Sequence, residues 1–190
     1  MRFDFRCDFT HEKEEHNFEL PDEKILLFLR DYSKDNKKKL IILDNGKNRD
    51  KLFHFCKKNL NLCDWSIVEK KNIFSSYKKA IECEILVTVD STLGYEMLVR
   101  GKKVAFFSIR HWANEINYRF GSPGEYESNG DFWTNDFDTK KFNKILDFLY
   151  TVSKEEWQNV ISKHSKNIMI YSENNKIFKE KIDQILSQIK

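Results

Sequence analysis

The chain has 190 residues, 40% hydrophobic and 14% aromatic, enough apolar material for one domain with its own core and too much for a disordered chain. Its 33 basic and 30 acidic residues nearly cancel to a net charge of +3, and the lysines lie in short broken runs such as KDNKKK and CKKN. That is the pattern of a solvated surface, and it argues against the concentrated basic face of a nucleic-acid-binding protein. Cys7, Cys56, Cys63 and Cys83 form no CxxC pair and have no matching histidine spacing, which disfavours structural zinc and fits reduced thiols in a cytoplasmic protein. No stretch approaches the roughly 20 apolar residues of a membrane helix, and the opening MRFDFRCDFT lacks the apolar segment of a signal peptide.

Phe3, Phe5, Cys7 and Phe9 alternate with charged residues, the period of a half-buried strand; residues 1–20 read as this strand and a polar connection. Pro21 and the acids after it open a helix with Ile25, Leu26, Phe28, Leu29 and Tyr32 on one side. KKLIILDNG reads as a buried strand ended by a turn, followed by a helix over residues 49–60 and a strand in DWSIVEK. A helix over IFSSYKKAIEC leads into a strand at residues 85–89, and KKVAFF begins another after Gly101, placed as the C′ glycine of the intervening helix. Residues 109–135 hold half of the glycines and no clear period, so they read as a long ordered loop, a length uncommon without a function. Residues 138–190 close the chain with helices: TKKFNKILDFLY after Asp138 or Thr139, SKEEWQNVISKH with Ser153 and Glu156 as a capping box, and an amphipathic last helix. Regular alternation of helices with short apolar strands predicts a single α/β domain, a parallel sheet with helices on both faces and a helical C-terminus.

One turn stands apart. Between two apolar strands lie Asp90, Ser91, Thr92, Leu93, Gly94 and Glu96, where packing alone would call for none of the polar ones. In an open parallel sheet, ligands sit at the carboxyl ends of strands. Ser91 or Thr92 suits an N-cap, and the unpaired N–H groups of a helix start attract phosphate. Gly94 leaves room for close approach. Glu96, one turn beyond Thr92, is placed to accept from sugar hydroxyls, as acids do for nucleotide riboses. A simple helix cap with Glu96 on the surface accounts for the same residues. Trp112, Tyr118, Phe132 and Trp133 either stack on a ligand or pin the long loop to the sheet. Asp44 ends its strand at the same rim, where turn chemistry also explains it.

The string VDSTLGYEMLVRGKKVAFFS resembles the nucleotide-binding, carboxyl-terminal half of GT-B glycosyltransferases, Rossmann-like in fold, and in particular bacterial surface-carbohydrate and capsule transferases. The match runs through Ser91, Thr92, Gly94, Tyr95, Glu96, Leu98, Arg100, Gly101, Lys102 and Val104, and the resemblance covers roughly residues 39–170, with RFGSPGEYESNGDFWTN, FNKILDFLY and SKEEW in matching order. It implies a donor domain whose Ser91–Thr92 backbone holds the diphosphate of a nucleotide sugar and whose Glu96 binds the ribose. It implies no cofactor and no metal, the helix end and basic residues stabilising the leaving diphosphate instead. Arg110, His111 and Arg119 follow at the next strand end and loop and are the candidates for that basic role.

GT-B enzymes carry the acceptor site and usually the catalytic base on a second half, for which this chain has no room, so the remainder is expected on another polypeptide, or the chain is a fragment, or it is a binding remnant. The expected partners are therefore a nucleotide sugar and either a separate acceptor-domain chain or a second copy, with peripheral inner-membrane association as a further expectation and no nucleic acid. No catalytic residue is assigned. A polyol-phosphate transferase or sugar-nucleotide epimerase half-domain, and a non-catalytic nucleotide-binding scaffold, are the alternatives.

Overall fold

The computed structural model describes residues 2–3, 19–43, 49–72, 74–112, 119–122 and 124–188. Asp44, Tyr118 and the expected strand beyond Phe3 lie outside them, as does the side chain of Trp112. Among the described residues six short strands, β1 (Arg2–Phe3), β2 (Leu40–Leu43), β3 (Trp65–Val68), β4 (Leu86–Thr88), β5 (Val104–Phe107) and β6 (Trp133–Thr134), form one sheet in the order β3-β2-β1-β4-β5-β6. Every pairing is parallel, with Arg2 opposite both Ile41 and Leu86 and Phe106 opposite Trp133. The chain winds outwards from β1 in one direction and from β4 in the other. β1 and β4 are thus the adjacent strands from which the connections diverge, where open sheets leave a crevice at their carboxyl ends.

Among the described residues seven α-helices complete the fold: α1 (Glu19–Asp35), α2 (Arg49–Asn59), α3 (Ser75–Glu82), α4 (Thr92–Val99), α5 (Thr139–Thr151), α6 (Lys154–Ile168) and α7 (Lys176–Gln188). Consecutive strand residues face opposite sides of a sheet, and β5 shows what covers each side. Phe106 packs on Tyr95 of α4, centroids 4.6 Å apart, while Phe107 packs on Phe142 of α5 at 4.1 Å and Phe28 of α1 at 6.1 Å. Helices therefore cover both faces. In α1, Ile25, Leu26, Leu29 and Tyr32 recur at helical spacing and are buried; Pro21 falls in its first turn, where a missing N–H costs nothing. Asp138 caps α5 by accepting from the Lys140 N–H at 2.8 Å, and the Ser153 hydroxyl caps α6 by accepting from Glu156 N–H at 3.1 Å.

The segment expected to be a loop contains β6, which adds a sixth strand to the edge of the sheet. Phe120, Phe132 and Trp133 are buried there, Phe120 stacking on Trp133 at 4.6 Å and Phe132 lying edge-on to Trp157 of α6 at 5.4 Å. Phe132 and Trp133 are core residues, as the reading that they pin the segment to the sheet expects. Each such aromatic contributes on the order of 2–3 kcal/mol by burial. α7 differs from the rest: none of its residues is buried.

Candidate functional site

The polar knot lies where β4 leaves the sheet, at the carboxyl edge beside β1. Three tethers fix its backbone. The Ser91 N–H donates to Thr88 Oγ1 at 3.1 Å, the Ser108 hydroxyl donates to the Val89 carbonyl at 2.8 Å, and Arg110 grips the Asp90 carboxylate. Ser91 takes the N-cap position of α4 with extended backbone (φ −70°, ψ 135°), and its carbonyl accepts from Gly94 N–H at 2.9 Å. Its hydroxyl makes no capping bond. Among the described residues nothing accepts from the N–H groups of Thr92 and Leu93. Two amide donors at a positive helix end, on a fixed loop, suit an anion.

Arg110 binds two acids from distant parts of the chain. Its Nη1 donates to both oxygens of Asp90, at 2.7 and 2.9 Å, and its Nη2 donates to Asp22 Oδ2 of α1 at 2.9 Å. Burial works against the charge of Arg110 most strongly, yet the charges and hydrogen bonds of Asp22 and Asp90 outweigh it and raise its pKa above the ordinary value. The guanidinium thus joins α1, the β4–α4 loop and the end of β5, and it offsets the negative charge of Asp90 beside the α4 amides. His111 Nδ1 lies 3.2 Å from the Ser108 carbonyl, and Arg119 is exposed. Among the described residues no hydrogen bond joins either of them to the knot.

Glu96 lies one turn into α4, half-buried, and its charge acts on Tyr77 of α3, whose pKa is raised by burial first and by this neighbouring carboxylate second. Its carboxylate borders an open groove of about 470 Å³ running beside α4 past Arg100 to Tyr171 and Phe178. The Arg100 guanidinium sits over the Tyr171 ring, 4.8 Å from its centroid.

The rest of the motif builds the frame. A Cβ on Gly94 would lie 2.5 Å from Thr88 Cγ2 and 3.2 Å from Phe106 Cε1, so the glycine admits α4 against the sheet, and the space it leaves is filled rather than offered to a ligand. The Tyr95 hydroxyl accepts from Gly121 N–H at 2.9 Å and pins the long loop. Gly101, at φ +84°, ends α4 as expected for a C′ glycine, and its carbonyl accepts from the Trp157 indole at 3.0 Å. Lys102 Nζ donates to the carbonyls of Ile81 and Cys83, both at 2.8 Å, closing the end of α3. Thr88, Ser108, Asp22 and Tyr77 escaped sequence reasoning; only Ser108, at the end of its strand beside Arg110, had a position that signalled the rim.

Among the described residues no group of three or more His, Cys, Asp or Glu side chains could hold a metal ion, and no helix is long and apolar enough to cross a membrane. No curated protein and no solved structure matches the chain. A family model described as "putative O-antigen biosynthesis protein" matches residues 5–186, nearly the whole chain, and the chain belongs to that family of surface-carbohydrate biosynthesis.

Proposed function

We propose that the chain is the donor domain of a GT-B type glycosyltransferase, binding a nucleotide-activated sugar for O-antigen synthesis. The observation that carries this reading is the pairing of two amides at the start of α4, which no described residue engages, with the Glu96 carboxylate one turn further on, at the carboxyl edge beside the point where the strand order reverses. A nucleoside diphosphate fits that spacing, with phosphate oxygens on the N–H groups of Thr92 and Leu93 and the ribose diol on Glu96. The strand order 3-2-1-4-5-6 is that of Rossmann-like nucleotide-binding sheets, and the family's description as O-antigen biosynthesis supports a carbohydrate substrate.

In such a transfer an acceptor hydroxyl attacks the anomeric carbon, its proton passing to a base on the acceptor side. The bond from that carbon to the phosphate oxygen breaks with its electron pair staying on the nucleotide. The extra charge develops beside the α4 amides, where fixed dipoles stabilise it without reorganising. Arg110 acts one step back in this reading: it neutralises Asp90 and holds the loop, rather than touching phosphate.

Calorimetric and thermal-shift titrations with UDP, CMP, GDP and CDP test the reading. Saturable binding of one nucleotide supports it and identifies the base. A folded protein that binds none of them at millimolar concentration overturns it and leaves the knot as a helix start within a scaffold.

A further inference from the structure

The two edges of the sheet are finished differently. In a parallel ladder alternate residues turn their N–H and C=O to one neighbouring strand, and the residues between turn theirs to the other side. At β6 the outward groups belong to Trp133 and Asn135, and the chain covers them itself. The Trp133 carbonyl accepts from Gly130 N–H at 2.9 Å, and Asn135 N–H donates to the Ser128 carbonyl at 2.8 Å. At β3 the Asp64 carbonyl accepts from Leu40 N–H, so Asp64, Ser66 and Val68 face β2, while Trp65, Ile67 and Glu69 face outwards. Among the described residues no hydrogen bond reaches the backbone of these three. All four residues of β3 are part-exposed and none is charged, whereas β4 and β5 inside the sheet are buried. An edge left open and uncharged in this way is a template for another strand.

We propose that β3 is the joint of a symmetric dimer, pairing antiparallel with β3 of a second copy about a two-fold axis at Ile67. The backbones bond only where outward residues meet outward residues. Centred on Ile67, the register uses all three: Ile67 meets Ile67 of the second copy, and Trp65 meets Glu69 in both directions. The other face then sets Ser66 against Val68 and Asp64 against Lys70, each twice by symmetry. Beyond them Cys63 meets Lys71, so no like charges are directly opposed. Centring one residue earlier sets Asp64 against Val68, Glu69 against Cys63 and Lys70 against Leu62. Centring one residue later sets Asp64 against Asn72, Glu69 against Ile67 and Lys70 against Ser66. Neither of those registers opposes an acid with a base, so charge selects the one at Ile67. Asp64 draws Lys39 of its own chain at 3.4 Å, and both side chains are mostly exposed, which leaves the corner open to a second cation. Phe53 of α2, 51% exposed with its ring centroid 6.0 Å from that of Trp65, gives the joint an apolar border. Because the paired strands run antiparallel, the carboxyl edges of the two sheets point in opposite directions. A second copy held this way does not complete the crevice beside β4, and in the donor-domain reading the acceptor half then comes from a different chain.

The test is light scattering during size-exclusion chromatography of the full chain, at concentrations up to about 100 μM. Ile67→Pro removes the central outward N–H and spares the bonds to β2, which Ser66 and Val68 make. Asp64→Lys sets lysine against lysine, and Asp64→Lys with Lys70→Asp sets lysine against aspartate again. The expected result is a wild-type mass of twice 22.9 kDa. Dissociation becomes at least tenfold easier in Ile67→Pro and in Asp64→Lys, and the double charge variant returns to within about threefold of wild type. Hydrogen exchange of the Ile67 amide reads the joint directly, its protection rising with protein concentration. Should Ile67→Pro fail to fold, the charge variants, which alter exposed side chains, decide alone. A wild type that stays at 22.9 kDa overturns the proposal. So does a dimer that Asp64→Lys leaves intact, or one that the double charge variant does not restore. An Ile67 amide protected at every dilution of a monomer overturns it equally, since the chain would then cover its own edge.

Discussion

Replacing Arg110 by methionine tests the keystone of the site. Methionine keeps an apolar stem of similar reach and removes the fork that holds Asp22 and Asp90. The Asp22 side chain is 1% exposed and that of Asp90 is 24% exposed, so the two acids respond unequally. Water can reach Asp90, whereas Asp22 loses the charge that offsets its burial. Breaking a buried pair from one side costs about 3–5 kcal/mol, or about 6–20 °C in melting temperature for a chain of this size. Urea unfolding followed by tryptophan fluorescence reads the change. Arg110→Lys recovers little of it, because an ammonium cannot fork to two carboxylates. Adding Asp22→Asn to Arg110→Met recovers more than half, since an amide carries no charge to leave behind. Adding Asp90→Asn recovers less. Arg110→Met within about 0.5 kcal/mol of wild type, the range of an ordinary surface substitution, would refute the reasoning.

Gly94→Ala overpacks α4 against Thr88 and Phe106 and costs about 1–3 kcal/mol; Thr88→Ser, which removes the clashing methyl and keeps the hydroxyl that holds Ser91, restores most of that in the double variant. Trp157→Phe removes both packing and the bond to the Gly101 carbonyl and costs about 2 kcal/mol in urea unfolding. His164 packs on Trp133 and Phe132, at 4.9 and 5.6 Å, and burial lowers its pKa below 6.5. The unfolded chain then binds that proton more readily, so the contribution is present above pH 6.5 and lost as pH falls through the lower native value; His164→Leu flattens this part of the urea-midpoint profile. Burial pushes the Cys56 thiol up to about 12, so peptide mapping after native maleimide treatment at neutral pH finds Cys56 unlabelled until urea is added.

The sheet was legible because each buried strand is a short apolar run and each helix between them carries its own period. Residues 40–43 and 104–107 have no other reasonable reading once α1 and α4 are in place. β6 was not legible. Two residues cannot show a period, and Trp133 in a glycine-rich stretch looks the same whether it faces a ligand or the core. The knot announced itself by placing Asp90, Ser91 and Glu96 among apolar neighbours, but its supports did not. Arg110 reads locally as a cation beside a phosphate site, and its buried partner Asp22 lies 88 residues away, a contact made only by folding. Gly94 illustrates the opposite error: a glycine in a first helical turn invites a ligand argument, while the sheet behind it is what demands the missing Cβ.

The central claim is that Glu96 receives the ribose of a nucleotide whose phosphates rest on α4. It is tested by comparing the ribo and 2′-deoxy forms of whichever nucleotide binds, in wild type and in Glu96→Ala. Hydrogen bonds to a charged group contribute about 1.5–3 kcal/mol, so the account predicts at least tenfold weaker binding for either change alone. Because both changes remove the same contact, the deoxy nucleotide should bind the variant no more weakly than the ribo form does. Equal affinity of wild type and Glu96→Ala for the ribonucleotide, or losses that simply add, would contradict it.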